Sequence, residues 1–544
     1  VSLEPYNKLL DANKVEMVEA VLSRRPLFAI QGPPGTGKTT LAAEVILQTL
    51  KENPSARILV TSQAHEPLNH LLTRVDDALK ARGARESVRP RSIRLRSEQR
   101  LDVARYGKAA TEVGRQFHPS AKAAQVLRDA RSWRKQDTGV QDERVIKAWT
   151  EVLRESEQNG LSAVLESRIA DSASLVYATA NDRRLATFRE DAFDLVIFEE
   201  AARAYPIEVL GPLRLARRWL LIGDHQQLLP FGIRDYQDTL DEFCDERTAQ
   251  VLGDSDNALT EDLEDWLKGQ PLADLKQNLL GQVALFQRVH ERGLTTRPPL
   301  SGRLTQQWRM AAPIGRMLSH VFYPHMENAP EEELATRAHR LVEPKQIRGK
   351  SRVWLDTKWA PLQEEAGETR SPGGGFENSY EARALLGFFA QLKGRRVRTS
   401  ILAPYRAQVR AIRHLVGTWD NPVTGPLDQS SVVTVDSLQG RQSAFVGVTL
   451  VRNNPTSNVR EAIGFLNDMA RATVMFSRAE SLLIVVGCSV HFQRFPESPI
   501  AELYRYFEQH GVVVAAGNYV HDAILDKIRL VRERLNAPWE VPDE

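Results

Sequence analysis

Nine consecutive residues constrain this chain more than any others: Gly32-Pro33-Pro34-Gly35-Thr36-Gly37-Lys38-Thr39-Thr40. The first eight satisfy G-x-x-x-x-G-K-[ST]. An apolar run, Leu27–Gln31, leads in, and a helix-forming stretch from Leu41 to Leu50 leads out. The pattern works only as strand, loop and helix. Glycines let backbone N–H groups wrap phosphates, the lysine reaches the β/γ-phosphates, and the threonine hydroxyl ligates Mg²⁺. The helix N-terminus adds its partial positive charge.

The same alternation continues along the chain. Ile58–Thr61, Leu175–Thr179, Leu195–Phe198 and Trp219–Ile222 read as buried strands, with His65–Ala81 as a helix. A second series follows residue 300. Val353–Leu355, Thr399–Leu402, Val432–Val435, Phe445–Leu450 and Leu482–Val486 read as strands, and Tyr405–Leu415 as a helix. Short apolar strands alternating with helices predict parallel sheets covered on both faces. The fold class is therefore α/β, with two sheets in one chain.

Composition bounds what surrounds these sheets. The 544 residues predict three to five structural units, and 42% apolar with 26% charged residues is ordinary for a globular protein. No apolar run reaches the roughly 18 residues of a membrane span, so no membrane partner is expected. Two cysteines, Cys244 and Cys488, exclude a disulfide framework and a cysteine zinc site. Together with the lack of a signal peptide, they predict a reducing intracellular setting, cytoplasmic or nucleoid/nuclear. A chain that begins at Val1 reads as processed or as a fragment. The net charge of +2 hides local asymmetry: residues 80–108 hold ten Lys/Arg against three Asp/Glu, and residues 235–265 hold twelve Asp/Glu against one Arg.

A phosphate loop needs a carboxylate at the end of a neighbouring strand. Asp194-Leu195-Val196-Ile197-Phe198-Glu199-Glu200 supplies an apolar strand ending in two acids. Glu199 is the candidate for Mg²⁺, and Glu200 for orienting or deprotonating the attacking water. Arg309, in Gln307-Trp308-Arg309-Met310, and Arg478, in Phe476-Ser477-Arg478-Ala479, are candidates for stabilising charge on a transferring phosphoryl group.

Strung in order, the blocks Gln31–Thr39, Val60–Leu71, Val196–Ala202, Leu221–Pro230, Leu304–Pro313, Leu402–Gln408, Val432–Gln442 and Gly464–Ala479 span about 450 residues. On these blocks the chain resembles a superfamily 1B helicase, in the branch of the nonsense-mediated-decay RNA helicase and senataxin. The resemblance implies two tandem RecA-like P-loop domains, ATP with Mg²⁺ bound in the cleft between them, and 5′→3′ movement along single-stranded DNA or RNA. It implies RecA-like domain 1 over residues 1–93 and 171–300, with a basic helical insertion at 94–170 and an acidic insertion at 231–281. RecA-like domain 2 would run over 301–510, followed by a helical tail at 511–544. The loop Gly32, Pro33, Pro34, Gly35, Thr36, Gly37, Lys38, Thr39 and Thr40 would hold the phosphates, with Gln227 sensing the γ-phosphate. Trp308 would stack on adenine. Gln439 would belong to the block coupling nucleotide to strand, with Ser62, Thr179 and Thr434 near the nucleic-acid backbone.

Four positions depart from the family pattern. Glu199 replaces an Asp, Lys14 stands at the adenine-reading Gln, Gln442 replaces an acid in the nucleotide-binding block, and Thr473 replaces an Asn. These departures keep a second function open, an ATP-gated nucleic-acid clamp with weak hydrolysis. Lys14 has three donors and no acceptor, so it predicts ATP and GTP used within about tenfold of each other, unless Lys14 is a solvated lysine and Asn13, one residue away, or the backbone reads the base. The basic stretch, with Arg89, Arg91, Arg94 and Arg96, reads either as a phosphate clamp or as a solvated helical face. The acidic stretch 235–265 reads as a nucleic-acid mimic, as a docking site for a basic protein partner, or as a solvated excursion.

Overall fold

The computed structural model describes residues 3–8, 10–23, 26–81, 91–95, 108–132, 161–230, 232–233, 236–237, 239–240, 272–360, 366–416, 420–427, 430–437 and 442–520. The chain forms two compact units. The first holds Val1–Gly32, Gly37–His225 and Leu229–Leu304; the second holds Pro33–Thr36, Gln226–Leu228 and Thr305–Glu544.

The first unit is built on a seven-stranded sheet. Its strands are β1 (Leu27–Gln31), β2 (Ile58–Ser62), β3 (Ser92–Arg94), β4 (Leu175–Thr179), β5 (Leu195–Glu199), β6 (Trp219–Gly223) and β7 (Ser301–Arg303). The spatial order is β3-β4-β2-β5-β6-β1-β7, and all pairings are parallel. Side chains alternate between two covered faces. Leu195 and Ile197 pack with helices α1 (Ala12–Ser23), α2 (Lys38–Glu52) and α3 (His65–Ala81). Val196 and Phe198 pack on the opposite face with Val209, Leu213 and Phe286. Burial on both sides is why these strands read as unbroken apolar runs.

The second unit has a six-stranded parallel sheet. It comprises β8 (Arg352–Asp356), β9 (Thr399–Ala403), β10 (Val432–Thr434), β11 (Ser443–Thr449), β12 (Ala479–Gly487) and β13 (Val512–Ala515), ordered β10-β9-β11-β12-β8-β13. Its two faces bury Trp354, Leu402, Leu483 and Val485 on one side and Val353, Ile401, Ile484 and Val486 on the other.

Three short strands correct the sequence boundaries. β7 pairs with β1, so residues 301–303 belong to the first sheet, and the first unit runs through Leu304. The strand carries no apolar signal, and Gly302 lets Met17 of α1 pack against it, since a Cβ there would lie 2.2 Å from Met17 Sδ and the side chain would have to move. β13 pairs with β8, so the segment expected to open a helical tail at 511 is an edge strand. β3 crosses the boundary drawn at residue 94. Within the basic insertion, the described helices are Lys108–Gln116, Pro119–Ser132 and Leu161–Ser172. Residues 241–271, most of the acidic stretch, and 521–544 lie outside the described residues.

Candidate active site

The phosphate loop forms because its glycines adopt backbone angles that side chains resist. Gly35 and Gly37 have φ of 80° and 82°, in the left-handed region. Gly37 caps α2 without a side-chain hydrogen bond, leaving N–H groups of a 15-residue helix free to face an anion. Thr36 Oγ1 donates to the Pro33 carbonyl at 2.8 Å. Lys38 Nζ donates to the Gly32 carbonyl at 2.7 Å, and the Gly32 N–H donates to Gly223 O at 2.9 Å.

One strand, β6, separates the loop strand β1 from the acidic strand β5. At the usual interstrand spacing, two steps put about 10 Å between their ends, enough for a phosphate with a coordinated ion. Glu199 closes β5 and is 3% exposed. Its Oε1 has no hydrogen-bond partner among the described residues. Burial, reinforced by the neighbouring Glu200 and opposed by Lys38, pushes its carboxyl up to about 8. Glu200 has φ 56°, a left-handed backbone costing roughly 1–3 kcal/mol for a non-glycine residue. That turn takes the second acid off the strand line into the 3₁₀ turn Ala201–Arg203.

The strand register brings several expected residues to one edge. Ser62 lies opposite Thr179 on one side and opposite Glu199 on the other. Ser62 Oγ also accepts from the Ala64 N–H at 3.4 Å. Lys14 is buried, pairs with Asp11, and packs on the loop: a Cβ on Gly37 would lie 2.8 Å from Lys14 Cε. Neighbouring Asn13 donates to the Arg303 carbonyl at 3.2 Å. The carboxylate three residues before Lys14 is the partner that sequence reasoning missed. It places a carboxylate beside the lysine, and its i,i+3 spacing was the available signal.

In the second unit, Arg478 lies between helix Met469–Phe476 and β12. It is 7% exposed and donates from Nε to Val474 O and from Nη2 to Gln227 Oε1, both at 3.2 Å. The Trp308 N–H donates to Gly35 O at 2.9 Å. Arg309 packs on the same glycine, its Cβ 2.8 Å from where a Gly35 Cβ would sit. Thr434 ends β10 and exchanges a hydrogen bond with Ser437 Oγ at 2.8 Å. Thr473 Oγ1 and Gln442 Oε1 are buried without partners among the described residues. Gln439 lies outside the described residues.

The basic clamp needs correction at Arg94. Its side chain is fully buried and donates to Asn69 Oδ1, to the carbonyls of Leu95 and Tyr177, and to His65 Nδ1. A guanidinium enclosed this way ties β3 to β4 and α3, and is not a surface contact for phosphates. Arg91 is exposed; Arg89 and Arg96 lie outside the described residues.

Tandem parallel sheets, the first carrying a phosphate loop and a buried acid one strand apart, define a tandem RecA-like P-loop nucleotide-binding fold. Family models described as AAA domain match residues 9–234 and 282–490. The chain is 26% identical over 537 residues to DNA-binding protein SMUBP-2 of Mus musculus, covering 95% of this chain and 46% of that one. It is 27% identical over 495 residues to ATP-dependent helicase NAM7 of Saccharomyces cerevisiae, covering 88% and 41%. The arterivirus nonstructural protein 10 helicase overlays with a TM-score of 0.35 at 13% identity, over 88% of this chain and 63% of that one. The chain belongs to the superfamily 1 helicases, in the branch of the nonsense-mediated-decay RNA helicase and senataxin. It spans about half the length of these two curated relatives. Among the described residues, no helix is long and apolar enough to cross a membrane.

Proposed function

We propose that the chain is an ATP-dependent helicase or translocase moving 5′→3′ along single-stranded DNA or RNA. The observation that carries the reading is Glu199: a buried carboxylate with an unpartnered oxygen, one strand from the phosphate loop and within electrostatic reach of Lys38. A phosphate-binding loop alone does not need such a group; a hydrolytic Mg²⁺–triphosphate site does.

Mg²⁺ fits this donor set, because Glu199 and the Thr39 hydroxyl offer the hard oxygens it takes. Bound there, the ion neutralises charge on the β- and γ-phosphates. Lys38 exchanges its bond to Gly32 for one to the phosphates. Glu200 orients the attacking water and accepts its proton. Gln227 reads the γ-phosphate, and Arg309 and Arg478 stabilise charge on the transferring group. Lys14 with Asp11 and Trp308 takes the base, with Gln442 near the nucleotide. Ser62, Thr179, Thr434 and Gln439 contact the strand, and the acidic segment 235–265 docks a basic protein partner.

The test measures ATP turnover with no nucleic acid, with single-stranded DNA and with single-stranded RNA. Strand displacement is then compared on duplexes bearing a 5′ or a 3′ overhang. Stimulated turnover with displacement from the 5′ overhang supports the proposal. Turnover indifferent to nucleic acid refutes it, and tight ATP-dependent binding with negligible turnover replaces it by the clamp.

A further inference from the structure

Four buried nitrogens that the proposed chemistry does not use lie in one place in the first unit. His290 is fully buried; the Ala29 carbonyl acts on its ring, but neither ring nitrogen makes a hydrogen bond of ordinary geometry among the described residues. His225 Nδ1 and Arg303 Nε share that condition, and Arg303 acts electrostatically on both histidines. Buried polar atoms of this kind are normally paired, and each unpaired one works against folding. A leucine would fill the His290 position with no such loss. A feature held at the expense of stability calls for a reason outside stability.

The geometry supplies one. His290 lies on helix Leu285–Thr295 and stacks on Phe286, with ring centroids 6.0 Å apart and planes at 8°. His225 leans on both rings, at 5.7 Å from His290 and 6.4 Å from Phe286. His225 follows Asp224 and directly precedes Gln226-Gln227. The segment it starts from is clamped on its other sides. Gly223 O accepts from the Gly32 N–H of the phosphate loop at 2.9 Å. Gln31 Nε2 donates to Asp224 Oδ1 at 3.4 Å. Gly223 has no room for a side chain: a Cβ would sit 2.8 Å from the Ala202 N–H nitrogen and 3.2 Å from Phe286. The phosphate loop, the turn after the acidic pair and the segment leading to Gln227 thus meet at Gly223, and the helix carrying Phe286 and His290 closes over them.

We propose that His290 is a positioning residue for ATP hydrolysis, acting through His225 to set the Asp224–Gln227 segment against the phosphate loop. This rests on the function proposed above. The neutral rings can exchange N–H donor and acceptor roles as the segment shifts, which apolar packing cannot do. Arg303, on the edge strand β7, keeps a donor beside both rings.

His290→Leu removes the nitrogens and keeps the volume near that of the ring, and His290→Phe keeps the stack on Phe286. Steady-state ATP turnover with single strands and thermal unfolding are measured on the full chain for both. The expected result is kcat lowered by about tenfold, ~1.4 kcal/mol, KM for ATP within about twofold, and Tm unchanged or raised. A second cycle pairs His290→Leu with His225→Asn, and the double variant should be no slower than the slower single one. Wild-type kcat in both His290 variants overturns the proposal, as does lost turnover that only follows a lowered Tm. A parent chain without turnover overturns the functional reading, and this inference with it. A parent that turns over as fast as both variants overturns the inference alone.

Discussion

Arg94→Met tests whether the basic stretch is a clamp or a framework, since it keeps the aliphatic stem and deletes the guanidinium. In the structure that group donates at 2.7 Å to Leu95 O, 3.0 Å to Tyr177 O, 3.2 Å to Asn69 Oδ1 and 2.7 Å to His65 Nδ1. Tyr177 O keeps a second donor, the Leu95 N–H at 2.8 Å, so its loss is partial. The other three acceptors, Leu95 O, Asn69 Oδ1 and the half-buried His65 Nδ1, each lose a donor; at the lower end of roughly 1–3 kcal/mol each, the total is about 3 kcal/mol. At about 2–4 °C per kcal/mol for a unit of this size, the first unit's transition should fall by ~6–12 °C. The assay is calorimetric unfolding of the full chain, beside a salt titration of single-strand binding. Exposed Arg91, whose Nη1 lies 3.4 Å from Ser172 Oγ, is the control and should not move Tm. If Arg94→Met left Tm within about 2 °C and cut the log–log salt slope by about 0.7, the enclosed-guanidinium reasoning would be wrong.

Lys38→Ala should abolish ATP hydrolysis in a turnover assay, because the β/γ-phosphates lose their side-chain cation. Arg478→Ala should leave equilibrium nucleotide binding nearly intact and cut turnover by about 10³ or more; near-wild-type turnover would remove it from the mechanism. Asp11 beside Lys14 gives the base a donor and an acceptor, matching adenine N7 and its amine but opposing guanine O6. The parent should therefore prefer ATP to GTP by more than about tenfold, with Asp11→Asn narrowing the ratio of kcat/KM values. Glu381 is fully buried, and burial pushes its carboxyl up to about 8 against the pull of the Val451 N–H. The folded state then holds a proton that the unfolded chain releases from about pH 4.5, so stability falls as pH rises from there to about 8. Glu381→Gln keeps an acceptor for Val451 and lacks the titration, so its Tm advantage should widen from acid to alkaline buffer; a constant gap would refute this.

Much of both sheets is legible in the sequence because each central strand is buried on two faces. Leu175–Thr179 is a strand as read, and Leu195–Phe198 extends by a single residue to Glu199. The edges are not legible. β7 is Ser-Gly-Arg, and its identity as a strand comes from β1 beside it and from Met17 above Gly302. β3 holds a single apolar residue, Ile93, inside a run whose charge suggests solvent, yet Arg94 satisfies carbonyls that no periodicity reveals. In the site, the phosphate loop and the acidic pair announce themselves by spacing. His225 and His290 do not, because their roles depend on contacts between elements distant in the chain, with 65 positions separating them; Asp11 has only its i,i+3 spacing to Lys14 to mark it.

The unpaired buried atoms show where the fold gives up stability. In the first unit, Thr61 Oγ1, Glu199 Oε1, His225 Nδ1 and Arg303 Nε lie at or just beyond the C-terminal ends of β2, β5, β6 and β7, while Tyr177 Oη lies within β4. A wholly parallel sheet collects those ends on one edge, which is where ligands bind in such folds. Register confirms the grouping: Gln31 lies opposite Gly223 and Arg303, and Ser62 opposite Thr179 and Glu199. Each unpaired atom costs about 1–3 kcal/mol, and the two apolar faces of the same strands offset it. Apolar replacements along this edge should therefore raise stability while lowering turnover, whereas the same replacements at Arg94, which is paired at every nitrogen, should lower stability. The sign of the Tm change thus separates residues kept for the reaction from residues kept for the fold.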